Sequence, residues 1–123
     1  MPKPKSLPSS ARLVREAALT AQEKLAEDLL ILSLQDVTSF TDYFLIMTVH
    51  SDKQAKAVSD AVQERLKSFR AKPLHEEGYS SGTWVLLDYV DFIIHIFQPE
   101  QRDFYALERL WGDAPDVTEK LLT

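Results

Sequence analysis

The apolar positions Val14, Ala17 or Ala18, Ala21, Leu25 and Leu29 recur at spacings of three and four. They fall on one side of a helix capped by Ser9 or Ser10 and running to about Asp28. The stripe is rich in alanine, so this helix is expected to lie close against something flat, such as a sheet. The next run, Leu29 to Gln35, is too short and too apolar for a surface helix and reads as a buried strand. A polar connection over residues 36–42 leads to a second apolar strand, Tyr43 to Val49. Ser51-Asp-Lys-Gln54 is a helix-start signature in which Ser51 accepts from a first-turn amide and Gln54 reaches back. The helix it opens is predicted from Asp52 to Phe69, with Ala55, Val58, Val62, Leu66 and Phe69 inward. His75 to Tyr79 reads as a short edge strand. Pro99 opens a last helix in which Phe104, Leu107 and Trp111 face inward, Tyr105 is freer to face outward, and Gly112 closes the helix.

Residues 84–97 hold two strands that a tight hairpin joins at Tyr89-Val90. Neither residue suits a primed turn, which favours Asn or Gly. With Asp88 opposite Asp91, Leu87 meets Phe92, Leu86 meets Ile93, Val85 meets Ile94 and Trp84 meets His95. One face is then wholly apolar (Val85, Leu87, Phe92, Ile94) and should pack on the helices. The other is mixed (Trp84, Leu86, Asp88, Asp91, Ile93, His95) and should be partly open, provided the register holds. The element order indicates a single α/β domain with a mixed sheet packed with helices. The expected division is a flexible arm over residues 1–9, with three prolines, a domain over 10–112, and a tail over 113–123 with at most a weak turn of helix.

The 123-residue chain has 45% hydrophobic and 27% charged residues, as a folded domain should. It has no cysteine, which removes disulfides, thiolate metal sites and thiol nucleophiles. With three glycines, at 78, 82 and 112, neither a dinucleotide-binding nor a Walker phosphate loop can be written. No apolar run is long enough to span a membrane. The start of the chain lacks a signal-peptide core, so a cytoplasmic or organelle-stroma location, in a reducing compartment, is expected. Net charge is -5, yet residues 1–15 carry four bases and no acid. From Glu76 onward ten acids face three bases. That balance argues against wrapping nucleic acid and suits a solvated surface or a basic protein partner.

Candidate chemistry is thin. Asp88 and Asp91 could share a divalent metal, or could bond the amides of their own turn, which is the commoner role of such residues. His95 is either a stacked, hydrogen-bonded structural histidine or a base. His50 and His75 have no matching ligand spacing, and no nucleophile is paired with an activator. Trp84 is either a core residue or an interface anchor, since an indole brings large apolar area with a polar tip.

Four blocks together carry a resemblance: Thr41-Asp-Tyr-Phe44, Gly78 with Trp84-Val-Leu-Leu-Asp-Tyr89, Asp91-Phe-Ile-Ile-His-Ile-Phe97 and Tyr105-Ala-Leu-Glu-Arg-Leu-Trp111. In this ordered series, covering about residues 10–113, the chain resembles the ribosomal silencing factor family, also called Iojap or RsfS. The resemblance implies a nucleotidyltransferase-like topology without the catalytic site, no enzymatic activity and no cofactor. It implies docking on the large ribosomal subunit through ribosomal protein L-fourteen, obstruction of small-subunit joining, and a capacity for homodimers. It places Trp84, Leu86, Tyr105 and Leu110 as hydrophobic contacts, with Asp88, Asp91 and His95 as polar contacts or hairpin supports. The family usually has glycine where this chain has Val90, and favours one before the second helix, where this chain has Val49-His50. Two other readings remain: a metal-dependent nucleotidyl- or phosphotransferase using Asp88, Asp91 and Asp42, and a dimeric scaffold for ribosome assembly.

Overall fold

The computed structural model describes residues 9–123, so the arm expected over residues 1–9 lies, apart from Ser9, outside the described residues. Ser9 caps the first helix, its Oγ accepting from the Arg12 amide at 3.2 Å. This helix, α1 (Ser10–Glu23), stops short of the expected Asp28. Leu25 takes a left-handed φ of 67°, the Ala26 amide donates back to the Ala21 carbonyl, and the Leu25 amide donates to Gln22. That is a Schellman close, here without its usual glycine. It puts Leu25 in solvent and not on the helix face assigned to it.

Strands β1 (Glu27–Ser33) and β2 (Tyr43–Thr48) follow, then α2 (Asp52–Lys67), β3 (His75–Glu77), β4 (Trp84–Asp88) and β5 (Phe92–Phe97). Ser51 caps α2 as its sequence predicts, accepting from the Gln54 amide at 3.0 Å. The strands form one sheet in the order β1-β2-β5-β4-β3, antiparallel except for the central β2–β5 pair. The sheet is mixed and forms a single domain with the helices, as expected.

One sheet face carries Ile31, Leu45, Met47, Val85, Leu87, Phe92, Ile94 and Ile96. Against it pack Val14, Ala17, Ala18 and Ala21 of α1 and Ala55, Val58, Val62 and Leu66 of α2. The alanines let α1 sit close to the strands. The opposite face carries Leu32, Leu34, Phe44, Ile46 and Phe97, with Trp84 and Ile93 partly covered. Its cover is slight: α3 (Pro99–Tyr105), α4 (Leu107–Leu110) and Ala114. β2 is buried at every position because cover reaches it from both sides.

Three expectations need correction. The helix expected from Pro99 to Trp111 is broken, because Ala106 turns left-handed (φ 44°) between α3 and α4. Leu107 and Trp111 still face the sheet, but Phe104 is swung out and 80% exposed. The β4–β5 register is offset by two residues: Asp88 pairs with Ile93, Leu86 with His95 and Trp84 with Phe97. An even offset keeps every residue on its face, so the division into an apolar and a mixed side holds. Residues 113–123 are more than a tail. Asp116 bridges to Leu32, α5 (Thr118–Leu122) follows, and Val117, Leu121 and Leu122 pack on the helix-side core. The Thr118 hydroxyl oxygen accepts from the Ile31 amide at 2.8 Å, so edge strand β1 is covered.

The larger hairpin loop explains the offset. The Tyr89 amide donates to the Phe92 carbonyl, and the Asp91 amide donates to the Tyr89 carbonyl across Val90 at φ 74°. A β-branched residue in this γ-turn is strained. Val90 is 52% exposed and contributes little burial in return. Val90→Gly is therefore expected to raise stability by about 1 kcal/mol, the relief of strain less the entropy of glycine. Thermal unfolding would read this as a rise of about 3–5 °C; an unchanged or lower midpoint would show the turn to be unstrained.

Candidate functional site

Two main-chain constraints deliver Trp84 to the mixed face of the sheet. Gly78 (φ 80°) lets the β3–β4 connection pass against it, since a Cβ there would stand 1.9 Å from the Trp84 carbonyl oxygen. Pairing with β5 then sets Trp84 beside Phe97 and on the diagonal from His95. The indole stacks on Phe97 (centroids 4.9 Å apart) and meets Tyr105 at 4.5 Å. Phe104 continues the series edge-on to Tyr105 at 5.0 Å. Across the sheet, Phe44 meets both His95 (4.7 Å) and Trp111 (5.8 Å), and Phe40 lies 5.8 Å from Trp111. An unbroken run of aromatic rings thus crosses the face. Its outer members are open: Phe40 is 52%, Phe104 80% and Tyr105 46% exposed. Leu110, on α4, is also exposed, and Leu86 is half-buried.

The α3–α4 elbow that presents Phe104, Tyr105 and Leu110 is fixed by Arg102. Its guanidinium donates to the Asp28 carbonyl (2.6 Å), the Thr48 hydroxyl (2.8 Å) and the Glu108 carboxylate (2.9 Å). One side chain therefore ties α3 to β1, β2 and α4. Its charge is met by a carboxylate in a largely covered position, where a charge-assisted bond counts for more than at the open surface.

The predicted polar residues divide. Asp88 holds the turn, its Oδ1 accepting from the Val90 amide at 2.8 Å. Asp91 is exposed, and its main-chain carbonyl accepts from the Asp42 amide. Among the described residues no three His, Asp or Glu side chains gather closely enough to hold one metal ion. His95 lies deeper than the sequence suggests, at 4% exposure, so it is part of the interior and not an open contact. The indole Nε1–H donates to its Nδ1 at 3.2 Å. An indole can only donate, so Nδ1 is the acceptor and the ring proton rests on Nε2. Nε2 is itself buried with no partner among the described residues. Burial pushes the His95 pKa down to about 3, so the ring is neutral at ordinary pH. This geometry is the structural role, in which His95 fixes the tilt of the Trp84 ring.

Sequence reasoning missed two rings. Phe40 sits in a segment read only as a polar connection, and Phe104 was assigned inward by a helical period that Ala106 interrupts. An aromatic in a loop was the one available signal for the first.

Because the folded-state pKa of His95 is depressed, its contribution is complete above the unfolded value near 6.5 and is lost as pH falls toward 3. Wild-type stability should therefore decline between about pH 6.5 and pH 4, by up to about 1.4 kcal/mol per pH unit from this group. His95→Phe removes the titration and should flatten that slope in urea-unfolding midpoints. Parallel slopes for the two proteins would show that His95 is not held neutral.

A family model described as "Ribosomal silencing factor during starvation" matches residues 7–123. The ribosomal silencing factor RsfS of Bacillus subtilis is 36% identical over 103 residues, which span 84% of this chain and 87% of the relative. The chloroplastic protein Iojap of Zea mays is 32% identical over 81% of this chain and 43% of its own longer length. A crystal structure of a Chromobacterium violaceum protein superposes with a TM-score of 0.82 at 30% identity, covering 85% of this chain and 88% of that one. A model match over nearly the whole sequence, backed by relatives at this level of identity, is decisive: the chain belongs to the ribosomal silencing factor family.

Proposed function

We propose that this protein represses translation by docking on the large ribosomal subunit through ribosomal protein L-fourteen and obstructing the arrival of the small subunit. The observation that carries the reading is the open aromatic run from Trp84 through Tyr105 to Phe104, with Leu110 on the next helix. An apolar surface of this kind on a folded domain marks a place where another macromolecule sits. Acids on β4 and α3 and in the β4–β5 turn, Asp88, Glu100, Asp103 and Asp91, suit a basic protein partner. Steric obstruction needs no reacting group. Of the carboxylates a metal-dependent transferase would use, Asp88 is engaged with its own turn. The reading also includes a capacity for homodimers. The site of action is then the cytoplasm, and no helix among the described residues is long and apolar enough to cross a membrane.

Trp84 and Tyr105 form the centre of the proposed contact and Leu110 its margin. Trp84→Ala should weaken large-subunit binding by about 2–4 kcal/mol, the range for a central aromatic anchor, which is about thirty- to a thousand-fold in affinity. Tyr105→Ala and Leu110→Ala should weaken it less. Leu110 is exposed, so its variant should keep the wild-type melting temperature. Sedimentation with separated subunits provides the measurement. Recovery of wild type with the large particle, and fewer joined ribosomes on its addition, is the expected result. Equal recovery of all three variants would exclude this face.

A further inference from the structure

The helix layer on the far side of the sheet carries the opposite charge at one end. The start of α1 lies beside the end of α2: the guanidinium groups of Arg12 and Arg65 both stand over the Phe69 ring, at 5.3 and 4.9 Å. Arg15 is one turn further along α1, and Arg70 follows Phe69 in the turn that closes α2. Glu16 is the carboxylate paired with this group, and Glu23 and Glu64 line the groove beside Arg65. Glu16 takes Arg65 at 2.8 Å and Arg15 at 3.7 Å. Arg12 and Arg70 are exposed and make no ion pair among the described residues. Lys67 and Lys72 are close in sequence but share a groove with Asp60, Glu64 and Glu76, and are left out of the cluster.

Two features set this end apart from a scatter of surface charge. The first turn of α1 contains no acid, and Arg12 stands there against the positive end of the helix dipole. Local helix stability does not favour that arrangement. Two guanidinium groups also lie over the one Phe69 ring in cation–π contact, which favours these positions of their side chains. Guanidinium groups gathered at one end suit a ligand with several oxyanions, and phosphate matches the guanidinium fork.

We propose that the cluster of Arg12, Arg15, Arg65 and Arg70 is a second contact surface that binds the phosphate backbone of ribosomal RNA. The inference rests on the proposed ribosomal docking. It explains how a chain of net charge -5 tolerates proximity to phosphate. The sheet face engages protein, and the basic end of the helix layer meets the nucleic acid. Phosphate contacts position a protein without reading sequence, so no base-specific recognition accompanies them.

The test uses the full chain and a fluorescently labelled single-stranded RNA of mixed sequence, followed by anisotropy across a salt series. The variant Arg12→Gln/Arg15→Gln/Arg70→Gln should bind at least about fivefold more weakly at low salt. Its slope of log affinity against log salt should fall by about 2, at about 0.7 per lost phosphate contact on a single strand. The control Lys24→Gln/Lys53→Gln/Lys120→Gln makes the same charge change elsewhere and should bind as wild type. Arg70→Gln alone, with its side chain in solvent, serves if the triple variant is unstable, and should lower the slope by about 0.7. Trp84→Ala should retain RNA binding while losing the large subunit, which separates failure of this surface from failure of the docking face. Equal weakening by both triple variants would reduce the effect to net charge and overturn the proposal. So would binding of a poly-glutamate peptide as tight as that of RNA, which would indicate an acidic protein partner.

Discussion

The sheet has two apolar faces, and the chain supplies long helix for only one of them. Alternation along β4 and β5 puts Val85, Leu87, Phe92, Ile94 and Ile96 under α1 and α2, where a continuous core forms. The same alternation directs Trp84, Ile93, His95 and Phe97 to the other side. There only the short α3–α4 elbow and the segment around Ala114 are available as cover. Large rings fill what helices do not. They protect Phe44, Ile46 and Phe97 from water, and their outer edges remain open.

Incomplete cover is tolerable only if the rings are held. Trp84 is fixed by main-chain crowding at Gly78, by stacking on Phe97 and by its bond to His95. The elbow is fixed by Arg102, which reaches β1, β2 and α4 together. Such a face is largely organised before it meets a partner, so little ordering free energy opposes binding. The histidine most suggestive of catalysis is buried and neutral. These properties support the proposed docking through this face.

Much of this was legible in the residues. A helix cap at Ser9 or Ser10, the cap at Ser51, the strands, and the division of residues 84–97 into two faces follow from period and capping chemistry alone. The register failed because Val90 gives no warning that it will adopt a positive φ and lengthen the loop. The faces survived because the offset was even. Ala106 likewise carries no signal of the left-handed turn that splits α3 from α4, so Phe104 was assigned to the wrong side. Residues 113–123 were underestimated because their few apolar positions make sense only against α1 and β1, a long-range pairing no local pattern encodes. Among the candidate site residues, Trp84, Tyr105 and Leu110 occupy open or half-open places, Asp88 serves its turn, and His95 lies inside. Depth depends on neighbours distant in the chain, and spacing does not reveal it.

Sheet face and helix layer also differ in electrostatic character. Acids on β4, the β4–β5 turn and α3 accompany the aromatic run, while arginines collect where α1 begins and α2 ends. A molecule so divided is oriented as it approaches a charged particle. The most direct measurement is a titration of the isotopically labelled protein with purified ribosomal protein L-fourteen, followed by amide and indole resonances. Perturbations confined to β4, β5, α3 and α4, with the Trp84 indole N–H among the largest, are the predicted result. Perturbations confined to α1 and α2, or none at saturating partner, would contradict docking through the aromatic face.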